Sequence, residues 1–451
     1  MAEPFNTPVP GATPISGTPM PGATPRSASP VQGIVSTTGA KPIVLHLGDA
    51  VRYNPETYAE FEHHFRIVRP DIAERQRPAF VSGLREGRWG DFAAIFRPFW
   101  GSGGEMGHWN AELIGLLPTS CRVFASAGAG YDWADTKLMG QRGIIYCNSG
   151  LAAAEAVSDF AVAMVISTFR HLPWCMAAAS SGSPRAFRVS HNMATGLSHN
   201  LRGHVLGIVG MGNIGRSLAA KLGCPAFGMR IHYHDLTEKA DRLDAQLYAT
   251  YHATLDGLLR VADCVVLCTP AAADGRPLLT RERIAQMKPG ARFVNVARGS
   301  LVDEEALADA LGDKRDDADD DDDNATRVSA ASEDPIRMSA ASEDSRDIRG
   351  RLSAAAIDVH ADEPNVNPRL LRLAGLGMTA TSTTSTSSTS STSPTSSHSL
   401  ATIHPRLMLT CHNAGGTVET HKGFEELCMR NILALLSGQP ALTAVNLQHM
   451  K

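Results

Sequence analysis

Short apolar runs alternate along this chain with longer stretches in which apolar positions recur at helical spacing. Pro42–Leu47 is one such run, and a helical stretch around Pro55–Phe65 follows it. Phe92–Phe96, Val123–Ala127 and Ile144–Cys147 read as further strands. Gly207–Gly210, Arg230–His234, Cys264–Thr269, Arg292–Val296 and Ala354–Val359 continue the series, apolar and rich in β-branched residues. Strands that alternate with helices build parallel, doubly wound sheets, so the expected class is α/β. Ala153–Phe169 is a long helical pattern, expected to link one domain to the next.

Three stretches break the alternation. Residues 1–40 are mostly Pro, Thr, Ser, Gly and Ala, with Pro-Gly-Ala-Thr-Pro occurring twice. Residues 313–349 hold the acidic run Asp316–Asp323 and a repeated Ser-Ala-Ala-Ser-Glu-Asp, and residues 375–402 are mostly Ser and Thr. Such segments bury too little apolar surface to offset their ordering entropy, so a disordered tail and two disordered inserts are expected. The chain of 451 residues then divides into a substrate domain over 41–150, completed by 417–451, and a nucleotide domain over 151–416.

Composition narrows the class. Hydrophobic content of 43% is that of a globular protein, and a formal charge of −4 provides no field for nucleic acid or an anionic membrane. The eight cysteines include no Cys-x-x-Cys pair, which suggests a reduced, cytoplasmic setting. No apolar leader opens the chain, and Glu155 and Asp159 interrupt its longest apolar stretch.

Gly210-Met211-Gly212-Asn213-Ile214-Gly215 closes the apolar run Val205–Val209. In G-x-G-x-x-G the first glycine permits a tight turn, the second lets a pyrophosphate approach the backbone, and the third lets the helix pack on the strand. Glycines at this spacing are also ordinary turns. Here a strand precedes, a helix follows, and the next strand ends at Asp235, 20 residues beyond Gly215, where a ribose-binding carboxylate belongs. The expected fold is therefore two Rossmann-like, doubly wound parallel-sheet domains with a cleft between them, and the expected cofactor is NAD. A carboxylate at Asp235 would repel the 2′-phosphate of NADP.

Three later segments end in polar residues with chemistry. Arg298 follows a strand, and its planar fork can hold a carboxylate bidentately. Glu363 lies before Pro364, and His412 stands between an apolar strand and Gly415-Gly416. A carboxylate beside an imidazole fixes its tautomer and favours its charged form, which suits a general acid. Each residue alone reads most simply as structural. In this order, after a dinucleotide loop, they read as a site that binds a 2-oxo acid and moves a proton.

With these segments the chain resembles the D-isomer-specific 2-hydroxyacid dehydrogenases, over nearly everything from Lys41 to Leu447 apart from the inserts. The shared look of Gly90-Asp91-Phe92, Ala127–Trp133, His199-Asn200, Arg202–Gly207 and Glu419-Thr420 leans toward the fungal D-mandelate dehydrogenase branch. The resemblance implies that His412 protonates the substrate oxygen, that Glu363 hydrogen-bonds His412, and that Arg298 holds the substrate with the amides of Ala129 and Gly130. It places the cofactor against Gly210, Gly212, Asn213, Ile214, Gly215, Asp235, Thr269, Pro270, Ala297, Asp358 and His412, with Asp358 on the nicotinamide carboxamide. It further implies a bulky, aromatic-tolerant 2-oxo acid and a homodimer. Cys411 replaces a common Pro, Ala361 replaces a common Glu, and both inserts are expected beside active-site segments.

Other features have plainer readings. Tyr131 and Trp133 are candidates for the pocket wall or for the core. His232 and His234 alternate on a strand without a third metal ligand, so no metal is expected. Cys264 and Cys268 read as small core residues. Two alternative functions share this fold: an NAD-sensing co-repressor-like protein-binding module, and a glyoxylate/hydroxypyruvate reductase.

Overall fold

The computed structural model describes residues 40–99, 106–239, 249–271, 275–312, 348–375 and 405–450. The tail expected over 1–40 and the inserts expected over 313–349 and 375–402 lie, but for their flanking residues, outside the described residues.

Five parallel strands form the first sheet: β1 (Ile43–His46), β2 (Arg66–Val68), β3 (Ala94–Arg97), β4 (Val123–Ser126) and β5 (Ile145–Cys147), in the order β2-β1-β3-β4-β5. Seven parallel strands form the second: β6 (Val205–Val209), β7 (Arg230–His234), β8 (Thr250–Tyr251), β9 (Cys264–Leu267), β10 (Ala291–Asn295), β11 (Leu352–Ile357) and β12 (Leu407–Leu409). Their order is β12-β11-β10-β9-β6-β7-β8. Both orders reverse direction once, at β1/β3 and at β6/β9. Ligands of open α/β sheets bind outside the strands' carboxyl ends at such reversals. Edge strands β2 and β8 were not foreseen: three and two residues long and only partly buried, they carry little hydrophobic signal. The helices Leu172–Ser180 and Pro184–Leu197 were likewise not foreseen.

Each sheet is covered on both faces. Val205, Val265, Phe293, Leu352 and Leu407 build one face of the seven-stranded core, and Leu206, Ile208, Val266, Val294 and Ala356 the other. Helix Gly150–Arg170 joins the sheets and buries Val157, Ala161, Met164, Val165 and Phe169 in that second core. By length and composition alone this helix could cross a membrane. Its apolar face is accounted for by this packing.

The chain returns to the five-stranded sheet through helix Val418–Leu436. Its residues Cys428, Met429, Ile432, Leu435 and Leu436 share a core with Val44, Phe96 and Val123. Thr417 caps this helix by accepting the Thr420 N–H at 3.1 Å. Glu425, buried on the same helix, accepts the N–H groups of Arg52 (2.8 Å) and Tyr53 (2.9 Å) and the Asn54 side-chain amide (3.1 Å). That carboxylate clamps the loop that follows β1.

Sheet polarity relocates the inserts. The residues flanking them, Gly312 and Ile348, then Gly375 and Pro405, precede β11 and β12 at the strands' amino ends. Arg298, Glu363 and His412 all follow carboxyl ends. The inserts therefore join the fold at the edge opposite the site, not beside it. Helices Glu304–Ala310 and Pro368–Leu373 carry the chain from one edge to the other.

Candidate active site

The glycine loop shows which of its positions demand glycine. Gly210 has φ +96°, and a Cβ there would lie 2.8 Å from the Cys268 carbonyl oxygen. A Cβ on Gly215 would lie 2.1 Å from the Gly210 carbonyl oxygen, so the opening turn of helix Asn213–Gly223 can approach the strand only as glycine. A Cβ on Gly212 would meet nothing within 4 Å. The middle position thus faces open space at the helix N-terminus, where Asn213 and Ile214 begin the helix, as a pyrophosphate requires. Thr269 and Pro270 follow β9 across the β6/β9 reversal. Asp235, at the end of β7, accepts the Met211 N–H at 2.9 Å and the Leu236 N–H at 2.7 Å. These residues fit a dinucleotide.

At the same carboxyl edge, Arg298 follows β10. Asn295, fully buried, holds this turn by accepting the Ala297 N–H at 3.0 Å and donating to the Arg298 carbonyl at 2.9 Å. The Arg298 guanidinium crosses to the loop after β4. Its Nε donates to Asp132 Oδ1 at 2.9 Å and its Nη1 to the Ala297 carbonyl at 2.6 Å. A Cβ on Gly130 would sit 1.2 Å from Arg298 Nη2, so any side chain there would have to push the guanidinium aside. Ala129 is fixed alongside, its carbonyl accepting from the Asn148 amide at 2.9 Å. With Nε committed to Asp132, the full fork expected for a carboxylate is reduced to the Nη1/Nη2 end.

His412 Nδ1 lies 2.8 Å from Glu363 Oε2. A carboxylate only accepts, so Nδ1 carries the proton of this bond and Nε2 is left for substrate. The other oxygen, Glu363 Oε1, accepts the His360 N–H at 2.9 Å. Partial burial acts to raise the Glu363 pKa, but the hydrogen bonds from His412 and His360 outweigh it and hold the carboxyl below its ordinary value. His412 itself has φ +53°, in the left-handed region. Asp358 steadies that turn. Its backbone carbonyl accepts the His412 N–H at 2.7 Å, and its carboxylate accepts the N–H groups of Asn413 and Ala414, each at 2.9 Å, and the Thr410 hydroxyl at 2.6 Å. Expected on the carboxamide, Asp358 is almost wholly buried, and both its oxygens face the catalytic turn.

Sequence reasoning missed several residues. Asp132 lies within Ala127–Trp133, where nothing in the sequence marks it. Gly299 is forced: a Cβ there would stand 1.9 Å from the His360 carbonyl carbon, so the arginine turn packs directly on the backbone leading to Glu363. Its signal was the glycine immediately after the arginine. Tyr131 and Trp133, half-buried, pack on the core of the five-stranded sheet, with Arg97 4.0 Å above the Trp133 ring. A cavity of about 470 Å³ opens at the β1/β3 reversal, lined by Tyr53, Pro98, Phe99 and His421 together with the charged Asp49, Arg52 and Glu425. The Phe99 and His421 rings lie 4.2 Å apart there. His232 Nδ1 and His252 Nε2 are hydrogen-bonded to one another at 2.9 Å, and His234 Nδ1 bonds the His252 carbonyl at 2.8 Å. The thiols of Cys264 and Cys268 are buried, which pushes both up to about 12.

Fold and site together define a nicotinamide-dependent dehydrogenase. A sequence model of the D-isomer specific 2-hydroxyacid dehydrogenase NAD binding domain matches residues 162–318. The solved apo structure of Rhodotorula graminis D-mandelate dehydrogenase is 32% identical, with a TM-score of 0.70, over 90% of this chain and 98% of that one. A solved glyoxylate reductase from Paecilomyes thermophila is 26% identical, with a TM-score of 0.66, over 90% and 99% of the two chains. The 4-methyl-2-oxopentanoate reductase A of Aspergillus oryzae is 27% identical over 369 residues, 82% of this chain and 88% of that protein. The chain belongs to the D-isomer-specific 2-hydroxyacid dehydrogenase family and is an NAD-dependent oxidoreductase.

Proposed function

We propose that the protein reduces bulky 2-oxo acids, aromatic ones included, to D-2-hydroxy acids, with His412 as general acid. The observation that carries this reading is the His412–Glu363 bond at 2.8 Å, on a turn whose His360 backbone packs directly against Gly299 beside Arg298. When bound at the glycine loop, NADH supplies the hydride that reaches C2 of the substrate. The substrate carboxylate meets the free end of the Arg298 guanidinium and the amides of Ala129 and Gly130. His412 delivers a proton from Nε2 to the carbonyl oxygen, while Glu363 holds Nδ1–H and stabilises the imidazolium before transfer. In the oxidative direction the same nitrogen accepts the proton.

Support for a bulky side chain comes from the cavity beside Phe99 and from the relatives named for mandelate and 4-methyl-2-oxopentanoate. A homodimer is proposed as well. Met176 and Phe187, on helices Leu172–Ser180 and Pro184–Leu197, are 66% and 57% exposed, an apolar surface suited to a second copy. Eight free cysteines accord with a cytoplasmic site of action.

The deciding experiment is a panel of 2-oxo acids, from glyoxylate to phenylglyoxylate, assayed with NADH and NADPH. Reduction of glyoxylate alone would overturn the bulky-substrate reading.

A further inference from the structure

We infer that Asp132 is a positioning residue for the substrate, acting through Arg298. The inference rests on the proposed reduction of a 2-oxo acid. A guanidinium carries five N–H groups in a fixed plane, and the direction it presents depends on which are already bound. In Arg298, Nε is taken by Asp132 Oδ1 at 2.9 Å and one N–H of Nη1 by the Ala297 carbonyl at 2.6 Å. Nη2 lies over Gly130, in the space a Cβ would need. The group is thus held at three corners. One holder, Ala297, follows β10 of the seven-stranded sheet. The other two, Asp132 and Gly130, follow β4 of the five-stranded sheet.

Asp132 is the only charged member of this set. Its carboxylate closes the Nε side, so the Nη1/Nη2 end is what remains for a substrate carboxylate. Without it, the long side chain is free to rotate its fork away from the substrate carboxylate. The pair also spans the two sheets, so Arg298 is aimed only when the walls of the cleft stand at this separation. Side-chain exposures of 25% for Arg298 and 47% for Asp132 mean that the pair adds little to global stability. Its effect belongs in substrate binding.

The test compares Asp132→Ala and Asp132→Asn with wild type, using phenylglyoxylate and NADH, together with Kd for NADH and the melting temperature. Asp132→Ala is expected to raise KM and lower kcat, reducing kcat/KM by roughly 10- to 100-fold, the scale of one charged hydrogen bond. Asp132→Asn, whose carbonyl oxygen can still accept from Nε, should recover part of that loss. Kd for NADH and the melting temperature should not move. A lower KM in Asp132→Ala would mean that Asp132 competes with the substrate for Arg298, and would overturn the inference, as would an unchanged kcat/KM. If wild type reduces no 2-oxo acid, the proposed function fails separately. Asp132 is then tested by oxamate binding to the NADH complex: weakening by Asp132→Ala supports the inference, and equal binding overturns it.

Discussion

His412 meets Glu363 at 2.8 Å while its own backbone is left-handed, at φ +53°. That region is unfavourable for a side chain with a Cβ and persists only where neighbours over-determine it. Asp358 does so here, with hydrogen bonds to three consecutive residues from His412 to Ala414 and a fourth from Thr410. His412→Ala should therefore remove the proton donor and leave the turn in place. Turnover should fall by roughly 10²- to 10⁴-fold, with Kd for NADH nearly unchanged. Near-normal turnover by this variant would remove His412 from the chemistry.

Glu363→Gln tests the partner. The Glu363 carboxyl sits below its ordinary value, so its bond to His412 is complete above the usual carboxylate range, near pH ~4.3, and is lost as pH falls further. Wild-type turnover should hold through mildly acidic pH. Glutamine has no titrating carboxyl, so the acid limb of the wild-type profile should be missing from the variant, whose turnover should be lower throughout because an amide cannot stabilise an imidazolium. Superimposable pH profiles would refute the pairing.

Gly130→Ala places a methyl group 1.2 Å from Arg298 Nη2. The guanidinium must move, and misplacement of about 1 Å costs roughly 10²-fold in rate. We expect kcat/KM to fall on that scale while NADH binding, measured by fluorescence, is preserved.

For cofactor choice, Asp235 is already oriented by the Met211 and Leu236 amides. A 2′-phosphate would meet its carboxylate with like charge, so NADH should be preferred over NADPH. Asp235→Ser should narrow the ratio of their kcat/KM values. Equal efficiencies in wild type would end that role for Asp235.

Replacing residues 313–347 and 376–404 by short turns should leave folding and most activity intact, because both segments join the fold at the amino edge of the seven-stranded sheet. A trimmed protein that binds NADH but has lost its reductase activity would contradict this.

What the sequence disclosed was local. The spacing of Gly210, Gly212 and Gly215 and the chain order of Arg298, Glu363 and His412 are written in contiguous segments, and the strands around them are strongly apolar. What it withheld depends on segments that meet only in three dimensions. Arg298 and Asp132 are 166 positions apart, and nothing near either announces the other. Tyr131 and Trp133 have the composition of a pocket wall, yet the loop after β4 folds them, half-buried, against the core of the five-stranded sheet. The inserts looked close to the site because they are close in number, whereas their flanking residues Gly312, Ile348, Gly375 and Pro405 lie at the amino ends of β11 and β12.

That last arrangement gives the seven-stranded sheet two poles with different freedom to change. At the carboxyl pole a single methyl group on Gly130, Gly215 or Gly299 collides with backbone or with the arginine. At the amino pole the sequence between Gly312 and Ile348 runs to 35 residues, at the end of the strands away from Arg298, Glu363 and His412. Length can drift at one end of the strands while composition is held at the other, and a reporter domain intended to leave the chemistry untouched belongs at Gly312–Ile348.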